Sequence, residues 1–192
     1  KLFIQEKQKG YYMKSNNLGF LESELQTFTE GAGNFCYQFA TDLFPICRSI
    51  TGKGVRETLN YIKSILPDLT IHSVPSGTQA FDWTIPEEWN IQDAYILNEE
   101  GERLVDFKVN NLHVMGYSIP IDQWLTLEEL DKQLYSLPEQ PDAIPYITSY
   151  YSRRWGFCLS HNARLALKPG KYRAVINSSL SSGFLNYGEL II

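Results

Sequence analysis

The spacing of apolar residues predicts a helix early in the chain. From Asn34 onward, apolar side chains recur at intervals of four residues through Phe35, Phe39 and Leu43, and Pro45 ends the pattern. This spacing is typical of a helix face that packs against a core. The preceding residues, 1–33, are polar and weakly periodic, and we interpret them as a lead-in segment.

Two further helices are predicted from capping signals. Thr51 is placed as the N-cap of a helix that ends before Pro67. The apolar stripe of this helix consists of Val55, Leu59, Ile62 and Leu66. In the sequence TLEE, Thr126 and Glu129 match a capping box, which predicts a helix over residues 126–137 until Pro138 ends it.

The remaining segments carry strand patterns. Two adjacent segments, DAYILN and ERLVDF, predict a β-hairpin across the turn EEG. Four other segments predict strands, the last two around a turn at Gly183: LTIHSVP, NLHVMGY, KPGKYRAVINSSL and GFLNYGELII. The segment FDWTIPEEWN is too irregular for a central strand. The chain is therefore predicted to contain both helices and strands.

Composition and charge limit the possible partners and location. Of the 192 residues, 43% are hydrophobic, which is enough for a packed core, and the formal net charge of −5 provides no basic surface for a nucleic-acid partner. No apolar run approaches the ~18 residues of a membrane span. The three cysteines, Cys36, Cys47 and Cys158, are odd in number and widely spaced, so we expect a reducing cytoplasm.

The sequence RRWGFCLSHN, residues 153–162, concentrates reactive and ligand-capable side chains. A thiol nucleophile at Cys158 with His161 as its base is one interpretation, but such pairs usually come from distant segments, and a buried, inert cysteine is the default. Zinc needs at least three protein ligands, and neither an HExxH nor a paired CxxC motif accompanies the histidines. These histidines are His72, His113 and His161.

A binding surface is the better interpretation of this stretch. Aromatic surface lies here beside fixed positive charge, and arginine can bind a carboxylate through two hydrogen bonds. The alternative is that the arginines only form a stabilising pair with a carboxylate of the protein. We therefore select Tyr151, Arg154, Trp155 and His161 as candidate substrate-binding residues. Elsewhere, Asp82 with Trp83 could bind a ligand, and the alternative is that Trp83 and Trp89 cover a small core beneath a loop.

Several long blocks of the chain resemble one bacterial family. In chain order they are LFPICRSITGKGVRETL, VPSGTQAFDWTIPEEWNIQDAYI, NNLHVMGYSIP, LYSLPEQPDAIPYITSYYSRRWGFCLSHN and YGELII. The family is an aminopeptidase-like family of unknown function that is often associated with polysaccharide biosynthesis. The chain resembles its N-terminal portion.

The resemblance implies an α/β fold class, or α+β for this segment taken alone. The implied fold is of the zinc exopeptidase type, in which an α/β core of mixed sheet carries an inserted small β-rich domain and is followed by a winged helix. On that template, residues 1–33 are the lead-in, 34–70 the first part of the core, 71–165 the inserted domain and 166–192 the return to the core sheet. The implied metal ligands follow Ile192, so the resemblance assigns no metal ligand to this chain. We therefore expect that the chain alone binds no zinc and has no peptidase activity.

The implied reaction of the intact protein is metal-assisted hydrolysis of an N-terminal peptide or related amide bond. The implied partners are a peptide or amide substrate and the remainder of the same polypeptide, without nucleic acid or membrane, and an oligomer stays open. Two alternatives also stay open. One is a non-catalytic binding module linked to polysaccharide biosynthesis, and the other is a thiol-dependent hydrolase that uses Cys158 and His161.

Overall fold

The computed structural model describes the backbone of residues 18–191 and the side chains of residues 31–191. Internal contacts divide the chain into two units, Lys1–Leu43 and Phe44–Ile192. The described residues form four α-helices: α1 (Leu18–Leu43), α2 (Lys53–Ile65), α3 (Leu127–Asp131) and α4 (His161–Leu165). They also form ten strands: β1 (Thr70–Pro75), β2 (Gln79–Ala80), β3 (Trp83–Thr84), β4 (Glu88–Leu97), β5 (Arg103–Asp106), β6 (Ile121–Thr126), β7 (Leu134–Tyr135), β8 (Phe157–Cys158), β9 (Lys171–Ser181) and β10 (Phe184–Glu189). This mixture is the predicted α/β class.

The first unit contains α1, which begins at Leu18 rather than at Asn34. Part of the predicted lead-in is therefore helical, and residues 1–17 lie outside the described residues. The predicted buried face is wrong at Phe35, whose side chain is 54% exposed, although Leu43 is buried. A spacing of four identifies an apolar stripe on a helix, but it does not identify an element that covers the stripe.

The N-cap of helix α2 lies one residue after the predicted cap, Thr51. The N-cap is Gly52, at φ 91°, and Thr51 is not a cap. The Thr51 side chain is instead buried and bonds to Tyr117 and to the backbone of Trp89. A Cβ atom at Gly52 would lie 2.2 Å from the carbonyl oxygen of Trp89, so glycine is required here both for its positive φ and for this close approach.

A four-stranded antiparallel sheet, in the order β5–β4–β9–β6, organises the second unit. The predicted hairpin of β4 and β5 is confirmed. The long strand β4 lies in the centre of the sheet and begins at Glu88, so the prediction for FDWTIPEEWN is wrong for its last three residues. The irregular part of that segment ends with Pro86, and the strand starts two residues later.

One face of this sheet forms the core. Alternate residues of the two central strands are buried there and pack against the segment that includes α3, β7 and β8. The sheet contributes Ala94, Ile96, Tyr172, Ala174 and Ile176, and the opposite layer contributes Leu130, Leu134, Phe157 and Leu159. Each fully buried large apolar side chain stabilises the fold by about 1.5–3 kcal/mol.

The capping box of Thr126 and Glu129 is confirmed, but the predicted length of its helix is wrong. The Glu129 amide donates to Thr126 Oγ1, and the Thr126 amide donates to the Glu129 carboxylate. The helix nevertheless ends at Asp131, because the chain then enters β7 and pairs in parallel with β8. Long-range strand pairing outcompetes the local helical pattern here.

The predicted strand in NLHVMGY is also wrong. Asn111–His113 form a 3₁₀ turn, and the Asn110 side chain accepts a hydrogen bond from the Leu112 amide at its start. Only isolated bridges follow, at Val114 and Gly116. An asparagine that caps the following backbone favours a turn over a strand.

The two strands around Gly183 are confirmed as β9 and β10, and β10 pairs with β1 from Thr70↔Glu189 to Pro75↔Phe184. Strand β10 ends at Glu189, before the end of the predicted segment. In the part of the chain that the structure describes, no helix is both long enough and apolar enough for a membrane crossing. The domain boundaries at residues 34, 71 and 166 stay predictions.

Candidate binding cleft

The four residues selected from the sequence have separate surroundings. Tyr151 is 77% exposed and lines a cleft, whereas the exposed Arg154 side chain makes no hydrogen bond or ion pair with the described residues. Trp155 is half-buried and packs edge-on against Phe157, with ring centroids 6.3 Å apart. His161 begins α4, and its Nδ1 shares a 3.0 Å hydrogen bond with Ser136. The binding roles of these four residues stay predictions.

The cleft beside Tyr151 has a volume of about 190 Å³ and is built from two distant segments. Pro86 and Glu87 come from the loop before β4, and residues 149–153 form its other side. Tyr117 lies at its base. The cleft therefore depends on the tertiary fold.

A chain of aromatic rings connects this cleft to the core. Trp89 is buried and stacks on Tyr117 at 5.8 Å, and its indole Nε1 donates to the Ser118 carbonyl. Tyr117 meets Tyr150 edge-on at 5.8 Å, and Tyr150 lies 4.4 Å from the exposed Tyr151. The buried stack thus supports the surface tyrosines from below.

The two tryptophans that raised alternative interpretations have different positions. Trp89 belongs to the core, as the structural alternative predicted. Trp83 is half-exposed, and its ring meets those of Tyr150 and Tyr151 edge-on at 6.3 and 6.5 Å. Asp82 beside it is exposed. The ligand-binding interpretation of Asp82 and Trp83 stays a prediction.

The charged side chains near the cleft differ in whether they form ion pairs with other described residues. Arg153 forms an ion pair with Glu87 at the rim. Asp82 has no hydrogen bond or ion pair with the described residues. A hydrogen bond with Tyr150 raises the pKa of Tyr151, and the nearby Asp82 carboxylate adds to this effect. Burial raises the pKa of Tyr117 to about 12, so its hydroxyl stays neutral.

The hairpin of β2 and β3 carries an unusual residue at its tip. Phe81 is fully exposed and has φ 56°, a left-handed conformation that costs a side-chain-bearing residue about 1–2 kcal/mol. Gln79 Nε2 donates to the Phe81 carbonyl at 2.9 Å, and Thr84 Oγ1 donates to Gln79 Oε1. Sequence reasoning missed Phe81, for which the aromatic density of FDW beside a turn was the available signal.

The proposed thiol dyad has unfavourable geometry. Cys158 is fully buried, and burial raises the pKa of its thiol to about 12, whereas a nucleophilic cysteine needs a lowered pKa. His161 bonds to Ser136, and His113 Nδ1 donates to the Cys158 carbonyl at 2.8 Å. The full burial of Cys158 agrees with its default interpretation as a buried, inert cysteine.

The described residues contain no ligand set for the zinc that the family resemblance implies. Among them, no group of three or more histidine, cysteine, aspartate or glutamate side chains is placed to hold a metal ion. Because a zinc site needs at least three protein ligands, no chemical step through zinc is assigned to these residues.

Known proteins match most of the chain. Residues 88–179 match the family described as a domain of unknown function (DUF2172). The chain is 51% identical over 168 residues to a protein of Clostridium acetobutylicum named "Putative polysaccharide biosynthesis protein with aminopeptidase-like domain". The family resemblance is confirmed. A crystal structure of a "putative peptidase" from Clostridium acetobutylicum superposes with a TM-score of 0.80 at 49% identity.

These matches involve only part of each relative. They cover 88% of this chain but 38% of the named protein and 40% of the solved chain. The chain thus spans about two fifths of the length of the relatives that it matches. Its similarity is to an aminopeptidase-like protein over that part.

Proposed function

We propose that this chain is the N-terminal portion of a zinc-dependent, aminopeptidase-like hydrolase, and that its aromatic cleft is part of the wall that binds the substrate. The names of the two relatives support the peptidase-like assignment. The metal ligands would come from the remainder of the polypeptide. The 192-residue chain alone would then bind substrate without hydrolysing it.

The observation that carries this proposal is the cleft lined by Tyr150 and Tyr151. Tyrosine offers a rigid apolar ring with a polar tip, which suits contact with peptide groups of varied side chains. The Arg153–Glu87 ion pair lies at the rim beside these tyrosines. These residues would orient the substrate and leave bond cleavage to groups elsewhere in the protein.

The test uses the protein encoded by the complete gene, loaded with zinc, with the zinc content measured. Release of p-nitroaniline from leucine and alanine p-nitroanilides reports aminopeptidase activity. We expect hydrolysis by the zinc-loaded protein and none by the 192-residue chain. Zinc-loaded protein that hydrolyses neither these substrates nor a panel of dipeptides would overturn the hydrolase assignment.

A variant pair tests the role of the cleft in the same assay. Tyr151→Ala should raise KM roughly fivefold to tenfold with a smaller effect on kcat, because it removes a binding surface. Tyr37→Ala is the matched control, since Tyr37 is 76% exposed but lies in α1. Equal KM values for the two variants would remove the cleft from the substrate site.

We also propose a cytoplasmic location. All three cysteines are free, and Cys36 is exposed. Exposed free thiols persist in a reducing compartment. Fractionation of cells that produce the protein, with marker enzymes for each compartment, tests this location.

A second candidate is a non-catalytic module that binds a glycan or glycan-pathway partner, as the name of the first relative invites. Trp124 is 53% exposed on the outer face of the central sheet, directly opposite Arg173. Arg173 donates two hydrogen bonds to the Asp122 carboxylate, at 2.8 and 2.7 Å. A flat ring beside a planar charged pair is a surface on which a sugar can stack.

Tryptophan fluorescence with a panel of oligosaccharides separates this candidate from the first. Saturable quenching that Trp124→Ala abolishes, with no hydrolysis by the zinc-loaded protein, would favour the binding module. Absence of quenching across the panel would remove it.

A further inference from the structure

The Trp83 ring lies next to the two tyrosines that line the cleft, at 6.3 Å from Tyr150 and 6.5 Å from Tyr151, and Asp82 precedes it in the chain. Trp83 and Asp82 belong to the β2–β3 hairpin, whereas Tyr150 and Tyr151 come from the loop before β8. We propose that these four residues form a subsite for a positively charged group of the ligand. If the proposed function holds, on which this identification rests, that group is the N-terminal ammonium of the peptide substrate.

The angles between the rings favour a cation over a flat ligand. Tyr150 and Tyr151 are inclined at 51°, and Trp83 is inclined at 63° and 65° to them. Rings at such angles offer no pair of parallel faces, whereas a sugar or base is best stacked on a single open face or on parallel rings. The negative faces of inclined aromatic rings attract a cation within about 6 Å of their centroids.

The carboxylate supplies the charge that a cation site needs. Of the two acidic residues nearby, Glu87 is paired with Arg153. Asp82 has no hydrogen bond or ion pair with the described residues, and its charge acts on the Tyr151 hydroxyl. Asp82 therefore supplies a carboxylate that has no ion-pair partner among the described residues, is adjacent to Trp83 in the chain and acts on Tyr151.

The backbone of the hairpin supports this arrangement. Phe81, adjacent to Asp82, keeps its left-handed conformation although its exposed ring gains no burial. The Gln79 side chain holds the Phe81 carbonyl, and Thr84 holds Gln79 in turn. The left-handed backbone of Phe81 and these hydrogen bonds fix the conformation of the turn, and with it the positions of Asp82 and Trp83. Such strain is expected where a binding site is preorganised. The turn also leaves the exposed Phe81 ring next to Asp82 in the chain, available to the side chain of a bound peptide.

The test is an NMR titration of the ¹⁵N-labelled 192-residue chain with two probes of one length. Alanylalaninamide carries an ammonium group and no carboxylate, and N-acetyl-alanylalaninamide is neutral. We expect a saturable shift of the Trp83 indole N–H with the cationic probe, and at least tenfold weaker binding of the neutral one. Equal affinities, or no saturable shift at Trp83, would overturn the proposal.

Matched variants locate the site. Asp82→Asn should weaken binding of the cationic probe at least fivefold, and Asp68→Asn, at another exposed aspartate, should not change it. Tyr151→Phe should bind within twofold of the unchanged chain because the ring remains, whereas Tyr151→Leu should lose at least fivefold. Unchanged binding by Asp82→Asn and Tyr151→Leu, with folding verified by circular dichroism, would contradict the subsite. Saturation of the Trp83 signal by maltotriose with equal affinity would also contradict it.

Failure of this subsite and failure of the proposed function give different results. If the complete protein hydrolyses aminoacyl substrates and Asp82→Asn keeps the same KM, the subsite is wrong and the hydrolase stands. If the chain distinguishes the two probes but the zinc-loaded protein hydrolyses nothing, the cation subsite stands and the hydrolase is wrong.

Discussion

The hydroxyl of Thr51 lies 2.6 Å from the phenolic oxygen of Tyr117, although the two residues are 66 positions apart. The Thr51 oxygen also accepts the amide proton of Trp89 at 3.1 Å. One buried hydroxyl therefore joins the start of α2, the central strand β4 and the base of the aromatic cleft.

Loss of this hydroxyl should destabilise the protein. Thr51→Val keeps the volume but leaves the Trp89 amide and the Tyr117 hydroxyl without their partner, which costs about 1–3 kcal/mol in the free energy of unfolding. Urea denaturation measures the change. Thr51→Ser retains the hydroxyl and should cost less, and the double variant with Tyr117→Phe should cost less than the sum of the single changes. Additive effects would show that the bond is energetically unimportant.

The Arg56–Glu88 pair should give the protein a specific acid sensitivity. Two hydrogen bonds from Arg56, at 2.9 and 2.7 Å, lower the pKa of Glu88 from 4.5 to about 2, with further help from Asn90 and the Phe184 amide. The unfolded chain takes up this proton first as the pH falls. The stabilisation from Glu88 is therefore full above about pH 4.5 and lost progressively toward pH 2.

Glu88→Gln tests this sensitivity through unfolding free energies measured between pH 7 and pH 2. The variant should be about 1–2 kcal/mol less stable at pH 7, since Arg56 loses a charged partner, and the difference should shrink below pH 4.5. Glu139→Gln, at an exposed site, is the control. A difference that stays constant over the whole range would contradict the assigned cause.

The three thiols should differ widely in alkylation rate. Iodoacetamide at pH 7.5, followed by mass spectrometry, should label the exposed Cys36 first and Cys158 last. Cys158 is buried with a pKa raised to about 12, so its labelling should be at least about a hundredfold slower than that of Cys36. Fast labelling of Cys158 in the folded protein would restore the thiol-hydrolase alternative.

Replacement of Phe81 should separate stability from binding. Asparagine tolerates the left-handed conformation and the exposed ring has no burial to lose, so Phe81→Asn should leave the melting temperature unchanged or slightly raised. Binding of leucylalaninamide, measured by NMR titration, should weaken by roughly threefold or more because an exposed apolar ring adjacent to Asp82 is lost. A lower melting temperature with unchanged binding would make Phe81 a structural residue.

Arg153 and Arg154 allow a test of which arginine affects ligand binding, the one selected from the sequence or the one that lines the cleft. The sequence selected Arg154, whereas the structure places Arg153 on the cleft and in contact with Glu87. Arg153→Ala frees the Glu87 carboxylate and should tighten binding of alanylalaninamide about twofold to fivefold. Arg154→Ala should change it by less than twofold. Weaker binding by Arg154→Ala alone would return the site to the residue selected from the sequence.

Local signals predicted the parts of this fold that local energetics decide. The capping box of Thr126 and Glu129 forms, and the alternating strands appear where expected, because both patterns express short-range geometry. The helix beyond Asp131 and the cap at Thr51 were mispredicted, because distant partners decide both. The same limit applies to the cleft. Its two walls lie more than 60 residues apart, and only the tertiary fold brings Pro86 and Glu87 beside Tyr151.

The order of strands in the central sheet has a consequence for biosynthesis. Strand β4 lies between β5 and β9, and 73 residues separate Leu97 from Lys171. At about 5–20 residues per second, the ribosome needs roughly 4–15 s to make that interval. During this time β4 can pair with β5 along one edge and has no partner along the other. The nascent chain therefore exposes an unpaired apolar strand for seconds, and a chaperone that binds such strands would bind this protein before its sheet is complete.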